Sequence, residues 1–250
     1  MAMNPMEQFE VKSIVPLHIG PYDVSFTNQS LFMCLVVLAV TLFLTLAMSR
    51  RRLVPSRTQS MAEVSYEFVA GMIRSTTGDE GMVFFPFVFA IFMFVLFSNF
   101  LGLIPGAFTV TSQIVVTFAL AALVMLTVIL VGFARHGIGF FKLFVPKAPF
   151  LLLILLVPIE IISFLTRLVS LSVRLFANML AGHTMLVVFA SFVIALGAAG
   201  GILSALSITP MFMIVFIGAL EMLVAFLQAY VFAILTCIYL NEALHLHEQH

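Results

Sequence analysis

PIEIISFLTRLVSLSVRLFANMLAGH, residues 158–183, sets Glu160, Arg167, Arg174, Asn178 and His183 into a run that is otherwise mostly apolar. On a helix turning 100° per residue, Glu160, Ser163, Arg167, Ser170, Arg174 and Asn178 fall within roughly 40° of one line. One polar stripe therefore crosses one apolar helix. An arginine at membrane depth costs about 2.5–3.5 kcal/mol on insertion scales, so two on one face are expected to serve a purpose. Glu160 and Arg174 are separated by about 21 Å of helix and cannot pair directly, and Arg174 has no acidic partner within a turn. Arg167 is open to either reading, a structural ion pair or a working charge. The stripe reads as a proton-handling membrane helix.

Composition supports the same reading. Of 250 residues, 63% are hydrophobic and 9% charged, where soluble chains run at about 45–50% and 25%. This is the signature of an integral membrane protein. A formal net charge of zero gives no basic footprint for nucleic acid. Cys34 and Cys237 sit alone in apolar runs, so neither a disulfide framework nor a metal site is expected, and no cofactor is called for. The first 30 residues carry Glu7, Glu10, Lys12 and Asp23 and lack the layout of a secretory signal.

Working outward along the chain, residues 1–29 contain Pro5, Pro16, Gly20 and Pro21, which predicts an irregular or short-helical lead-in. Residues 31–48 form an uncharged first span ending at Arg50, Arg51 and Arg52. Residues 57–77 mix Met61, Val64, Tyr66, Phe68, Val69, Met72 and Ile73 with Glu63, Glu67 and Arg74 at near-helical spacing. That pattern predicts an amphipathic helix on the membrane surface. Spans follow at 84–104, carrying Ser98 and Asn99 near its end, and at 114–134. Asn99 is open to capping backbone or lining an entry path, and for a lone amide packing is the commoner explanation. From Phe150 to Leu240 the sequence is almost continuously apolar, enough for two very long helices or three ordinary ones. Two helices, 149–196 and 203–244, each about 60 Å long, would have to tilt steeply in the bilayer. The expected fold is thus all-α: about five transmembrane helices, the last two long and steeply tilted, plus one surface helix, in a single membrane domain.

Arg50, Arg51, Arg52, Arg57, Arg74, Arg135, Lys142 and Lys147 all fall on one side if the first three spans alternate, and that side should be cytoplasmic. The N terminus is then periplasmic and the C terminus cytoplasmic in a bacterial inner membrane, or the corresponding sides of the mitochondrial inner membrane. On the last helix Glu221 and Gln228 lie seven residues apart and share a face. A carboxylate at that depth needs a proton, a cation or water, and His183 on the preceding helix is the obvious candidate neighbour. The tail HLHEQH reads as solvated rather than metal-binding.

SLSVRLFANMLAGH from Ser170 and AFLQAYVFAILTCIYL from Ala225, with MEQFEVKSIVPLHIG from Met6 and NFLGLIPG from Asn99, closely resemble subunit a of the F-type ATP synthase. The resemblance covers essentially the whole chain and looks most like alphaproteobacterial and mitochondrial members. It implies a membrane stator that faces a rotating ring of c subunits and offers protons two offset half-channels, with the b subunits of the peripheral stalk and the remaining ATP synthase subunits as further partners. It implies that Arg174 is the essential arginine, Asn178 the amide one turn along and Gln228 the glutamine on the facing helix. Glu160 would sit in the exit half-channel, and His183 and Glu221 would form a coupled pair. A guanidinium keeps its charge at any physiological pH, so Arg174 would gate electrostatically without carrying a proton through. The chain shows no GxxxxGK[ST] loop, so no catalytic site of its own is expected and nucleotide chemistry belongs to other subunits. The alternative is a secondary ion or proton transporter with an intramembrane binding site. Such folds usually carry inverted repeats and broken helices in matching halves, which are not evident here.

Overall fold

A computed structural model describes residues 10–16, 18–19, 22–23, 25–49, 55–104, 107–137, 139 and 150–245. The basic residues Arg50, Arg51, Arg52, Lys142 and Lys147, the start of the lead-in and most of the histidine-rich tail lie outside the described residues. Helix dominates, as an apolar chain in lipid requires, because helices satisfy every backbone polar group within the segment.

Four short strands come first: β1 Ser13–Val15, β2 His18–Ile19, β3 Tyr22–Asp23 and β4 Phe26–Thr27. They form two antiparallel pairs, β1 with β4 and β2 with β3. This corrects the irregular or short-helical expectation for the lead-in. The residues that rule out a long helix also permit a chain reversal, and the β-branched pair Ile14 and Val15 favours strand in β1. Asn28 closes the ribbon, its Oδ1 accepting from the Lys12 backbone N–H at 3.1 Å while its Nδ2 donates to the Glu10 carbonyl at 3.1 Å.

Helices α1 Asn28–Met48, α2 Arg57–Thr77, α3 Phe85–Gly102, α4 Ile114–His136, α5 Phe150–Ala199, α6 Gly201–Leu206 and α7 Ile208–Leu244 follow. A 3-10 segment, Asp79–Phe84, leads into α3, and another, Val110–Ser112, precedes α4. Among the described residues five stretches, built on α1, α3, α4, α5 and α7, are long and apolar enough to cross a membrane. The apolar sequence beyond Phe150 is filled by two long helices with one short turn of helix between them, and Gly200 and Gly201, at φ +69° and +62°, make the break. Only glycine holds that left-handed backbone freely. At about 1.5 Å per residue, α5 with its 50 residues is about 75 Å long and α7 with its 37 about 55 Å. Both exceed the hydrocarbon thickness, so each must tilt to stay within it.

The chain divides into two compact units. The first comprises Met1–Phe43, Phe94–Gln113 and Leu175–Ala229; the second comprises Leu44–Met93, Ile114–Arg174 and Tyr230–His250. In the second unit α2 is well defined at both ends. Ser56 caps it by accepting from the Gln59 N–H, and Gly78, at φ +71°, closes it by donating to the Arg74 carbonyl. Val69, Ala70, Met72 and Ile73 are its buried side. Its aromatic residues reach the neighbouring helices, Tyr66 onto Phe85 at 4.5 Å and Phe68 onto both Phe92 and Tyr230 at 5.8 and 5.6 Å. The Thr77 hydroxyl completes the seam by donating to the Cys237 carbonyl at 3.4 Å. In the first unit Ala225 and Ala229 of α7 are fully buried, small enough to let helix backbones approach closely.

Candidate functional site

The first unit gathers the polar residues that an apolar core should avoid. His183 on α5 and Glu221 on α7 face each other with Nε2 and Oε1 3.7 Å apart, and their side chains are only 12% and 5% exposed. Glycine makes that approach possible. A Cβ on Gly182 would lie 2.7 Å from Glu221 Oε1 and 3.0 Å from its carboxyl carbon, closer than real Cβ atoms come. Thr109, in the stretch leading to α4, brings its hydroxyl oxygen 3.1 Å from His183 Nε2 and donates at 3.5 Å to the Gly102 carbonyl.

A second polar layer ties α3 to α7. Asn99 Nδ2 donates to the Ala225 carbonyl at 3.2 Å, and Asn99 Oδ1 accepts from the Thr111 hydroxyl at 3.0 Å. Asn99 is fully buried, so its amide acts as a strut that spends both of its ends on the fold. This agrees with packing as its primary role. One turn past Arg174 along α5, Asn178 Nδ2 donates to Gln228 Oε1 at 3.0 Å. Both carboxylate oxygens of Glu221, the Gln228 amide nitrogen and the Ser98 hydroxyl are buried without a hydrogen-bond partner among the described residues. Buried polar groups are normally satisfied, and four exceptions in one unit mark a place shaped for something other than packing.

The second unit holds the remaining sequence candidates. Arg167 on α5 pairs with Glu242 near the end of α7, and its guanidinium lies 5.3 Å from the centre of the Tyr239 ring. Of the two readings open for Arg167, the structural ion pair is the one that forms. Glu160 is half-buried on α5. Arg174 is exposed on the chain taken by itself, with no carboxylate within ion-pair distance among the described residues. The Thr117 and Ser172 hydroxyls meet at 3.2 Å and hold α4 against α5.

Sequence reasoning thus singled out His183, Glu221, Asn178 and Gln228, and the structure brings them together as two pairs. It passed over Thr109, Thr111 and Ser112. The cue available was a run of hydroxyl residues, TVTSQ, between two strongly apolar spans, although nothing in periodicity says which of them turns inward.

Taken together, apolar helices long enough to cross a bilayer and ionisable groups held between them define an all-α integral membrane protein of the ion-handling kind. A family model for the ATP synthase A chain matches residues 30–241. The chain is 59% identical over 244 residues to ATP synthase subunit a of Mesorhizobium japonicum, covering 97% of each sequence. It is 61% identical over 246 residues to ATP synthase subunit a of a Chelativorans species, covering 98% of this chain and 99% of the relative. Against the Agrobacterium fabrum subunit a the identity is 58% over 246 residues, with the same coverage. The chain belongs to the ATP synthase A chain family, subunit a of the F-type ATP synthase, and is a membrane-sector component of that complex.

Proposed function

We propose that this chain is the proton-channel stator of a bacterial inner-membrane ATP synthase, loading and unloading protons on the carboxylates of a c-subunit ring through two offset half-channels. The observation that carries the reading is the placement of Glu221. It is a carboxylate buried between apolar helices, with neither oxygen hydrogen-bonded among the described residues and the His183 imidazole 3.7 Å away. A permanently ionised carboxylate could not be held there without its charge being met, so the group serves by exchanging its proton.

In this reading Glu221 and His183 form the relay of one half-channel, with Asn178 and Gln228 beside it as amides that donate and accept without titrating. Glu160 serves the other. Arg174 faces the ring. Its charge favours the ionised form of an arriving rotor carboxylate and cannot be neutralised by losing a proton. A proton therefore has to leave the rotor before that site passes the arginine, and protons cannot run straight from one half-channel to the other. A proton crossing about 180 mV releases about 4 kcal/mol, so even a small leak would drain the coupling. The b subunits and the rest of the synthase hold the stator still, and nucleotide chemistry takes place on other subunits.

The test is Arg174→Ala in inverted membrane vesicles. ATP-driven proton pumping should fall to background while the subunit is still found in the membrane; pumping at the parental rate would overturn the assignment.

A further inference from the structure

A relay through His183 needs its imidazole ring held in place. Nε2 of His183 stands between two groups, the Glu221 carboxylate at 3.7 Å and the Thr109 hydroxyl at 3.1 Å. The first distance is beyond a hydrogen bond and the second is within one. Thr109 is itself almost completely buried, and its hydroxyl has a second oxygen in reach, the Gly102 carbonyl. A hydroxyl has one hydrogen to give and lone pairs with which to accept.

We infer that Thr109 is a positioning residue for His183, its hydroxyl acting as a partner that serves the imidazole in both of its protonation states. The proposal rests on the stator reading and adds to it a residue that the relay works through. When Nε2 carries no proton, the hydroxyl donates to it. When Nε2 is protonated, the hydroxyl turns, donates to the Gly102 carbonyl and accepts from Nε2–H. In the transfer itself the O–H bond of the Glu221 carboxyl breaks and an N–H bond forms at Nε2, closed by a small side-chain rotation or through one bridging water. The hydroxyl hydrogen only changes direction, so charge and protons balance without another reactant. In each state the hydroxyl meets Nε2 in the matching sense, whereas a partner able only to donate or only to accept would mismatch one of the two states at a cost of about 1–3 kcal/mol.

Gly102 gives this arrangement an independent handle. A Cβ there would lie 2.7 Å from the Thr109 Cγ2 methyl and 3.2 Å from its hydroxyl oxygen. Gly102→Ala must therefore displace Thr109, and Thr109→Ser, by removing that methyl, gives the room back.

The experiment measures passive proton conduction through the complete membrane sector in vesicles stripped of the catalytic sector, with the amount of inserted subunit determined alongside. Thr109→Val keeps the shape and removes the hydroxyl; conduction should fall on the order of tenfold, the worth of one buried hydrogen bond. Thr109→Ser should stay within about twofold of the parent, since its hydroxyl can make the same bond. Gly102→Ala should reproduce the loss, and Gly102→Ala with Thr109→Ser should recover it. Parental conduction by Thr109→Val, or Thr109→Ser as defective as Thr109→Val, overturns the proposal. Should Thr109→Val fail to insert, the Gly102 pair decides: a double variant no better than Gly102→Ala alone overturns it. Failure of the stator reading is separately visible, because Arg174→Ala would then pump normally. If Arg174→Ala is inactive and Thr109→Val conducts normally, only the role of Thr109 is wrong.

Discussion

Gly182 shows how a residue without a side chain can govern a charged one. Its missing Cβ leaves the space occupied by the Glu221 carboxylate, and that carboxylate cannot retreat far because it is 5% exposed and surrounded by packed helix. Gly182→Ala is expected to push Glu221 from His183 and to reduce ATP-driven pumping at least about tenfold, since a displacement near 1 Å can cost far more than that in a positioned pair. Gly71, with open space around its Cβ position, is the control: Gly71→Ala should pump normally. Equal pumping by both variants would show that the close approach has no consequence for transport. The contrast between Asn99 and Glu221 is instructive at the same scale. Both are buried polar residues on apolar helices, yet Asn99 is hydrogen-bonded at both ends of its amide and Glu221 has no hydrogen bond to either oxygen among the described residues. The satisfied group reads as architecture and the unsatisfied one as chemistry.

Among the elements, α5 and α7 carry both the fold and the candidate site, and Arg167 with Glu242 fastens them in the second unit. Those side chains are 29% and 23% exposed, so solvent screening discounts the pair to about 1 kcal/mol or less. A double-mutant cycle with Arg167→Gln and Glu242→Gln, read from denaturant unfolding of the purified subunit, should give a coupling of about 0.5–1 kcal/mol. Strict additivity would mean that the pair is incidental. How much of this was legible beforehand differs by element. The start of α2 at Arg57 follows a serine able to cap and its end at Thr77 precedes a glycine able to close it, both local signals. From Phe150 to Leu240 the apolar run alone left two helices or three open, because hydropathy does not say where a helix ends and no formal charge falls between Arg174 and Glu221. The ribbon of β1 to β4 was missed because strands of two or three residues have no periodicity to read. The Thr109 contact was missed for another reason: it joins residues 74 positions apart, and no one-dimensional pattern encodes such a meeting.

At the scale of the whole molecule, the five helices among the described residues that are long and apolar enough to span make an odd number of crossings if all five cross, with the two ends of the chain on opposite sides. The arginines and lysines of the sequence favour a periplasmic N terminus and a cytoplasmic C terminus. Reporter fusions should bear this out, with alkaline phosphatase active only at the N-terminal end and a cytoplasm-dependent fluorescent protein bright only at the C-terminal end. Fluorescence at both ends would require an even number of crossings and would remove one of the long helices from the bilayer. The wider consequence lies in Arg174, an exposed cation halfway along a helix that is mostly apolar outside its one polar stripe. A subunit stranded alone in lipid keeps that burden unrelieved, about 2.5–3.5 kcal/mol by insertion scales. Orphan copies should therefore be poor tenants of the bilayer, prone to clearance by membrane proteases, and their survival in the cell should track the supply of the companions they are made to meet.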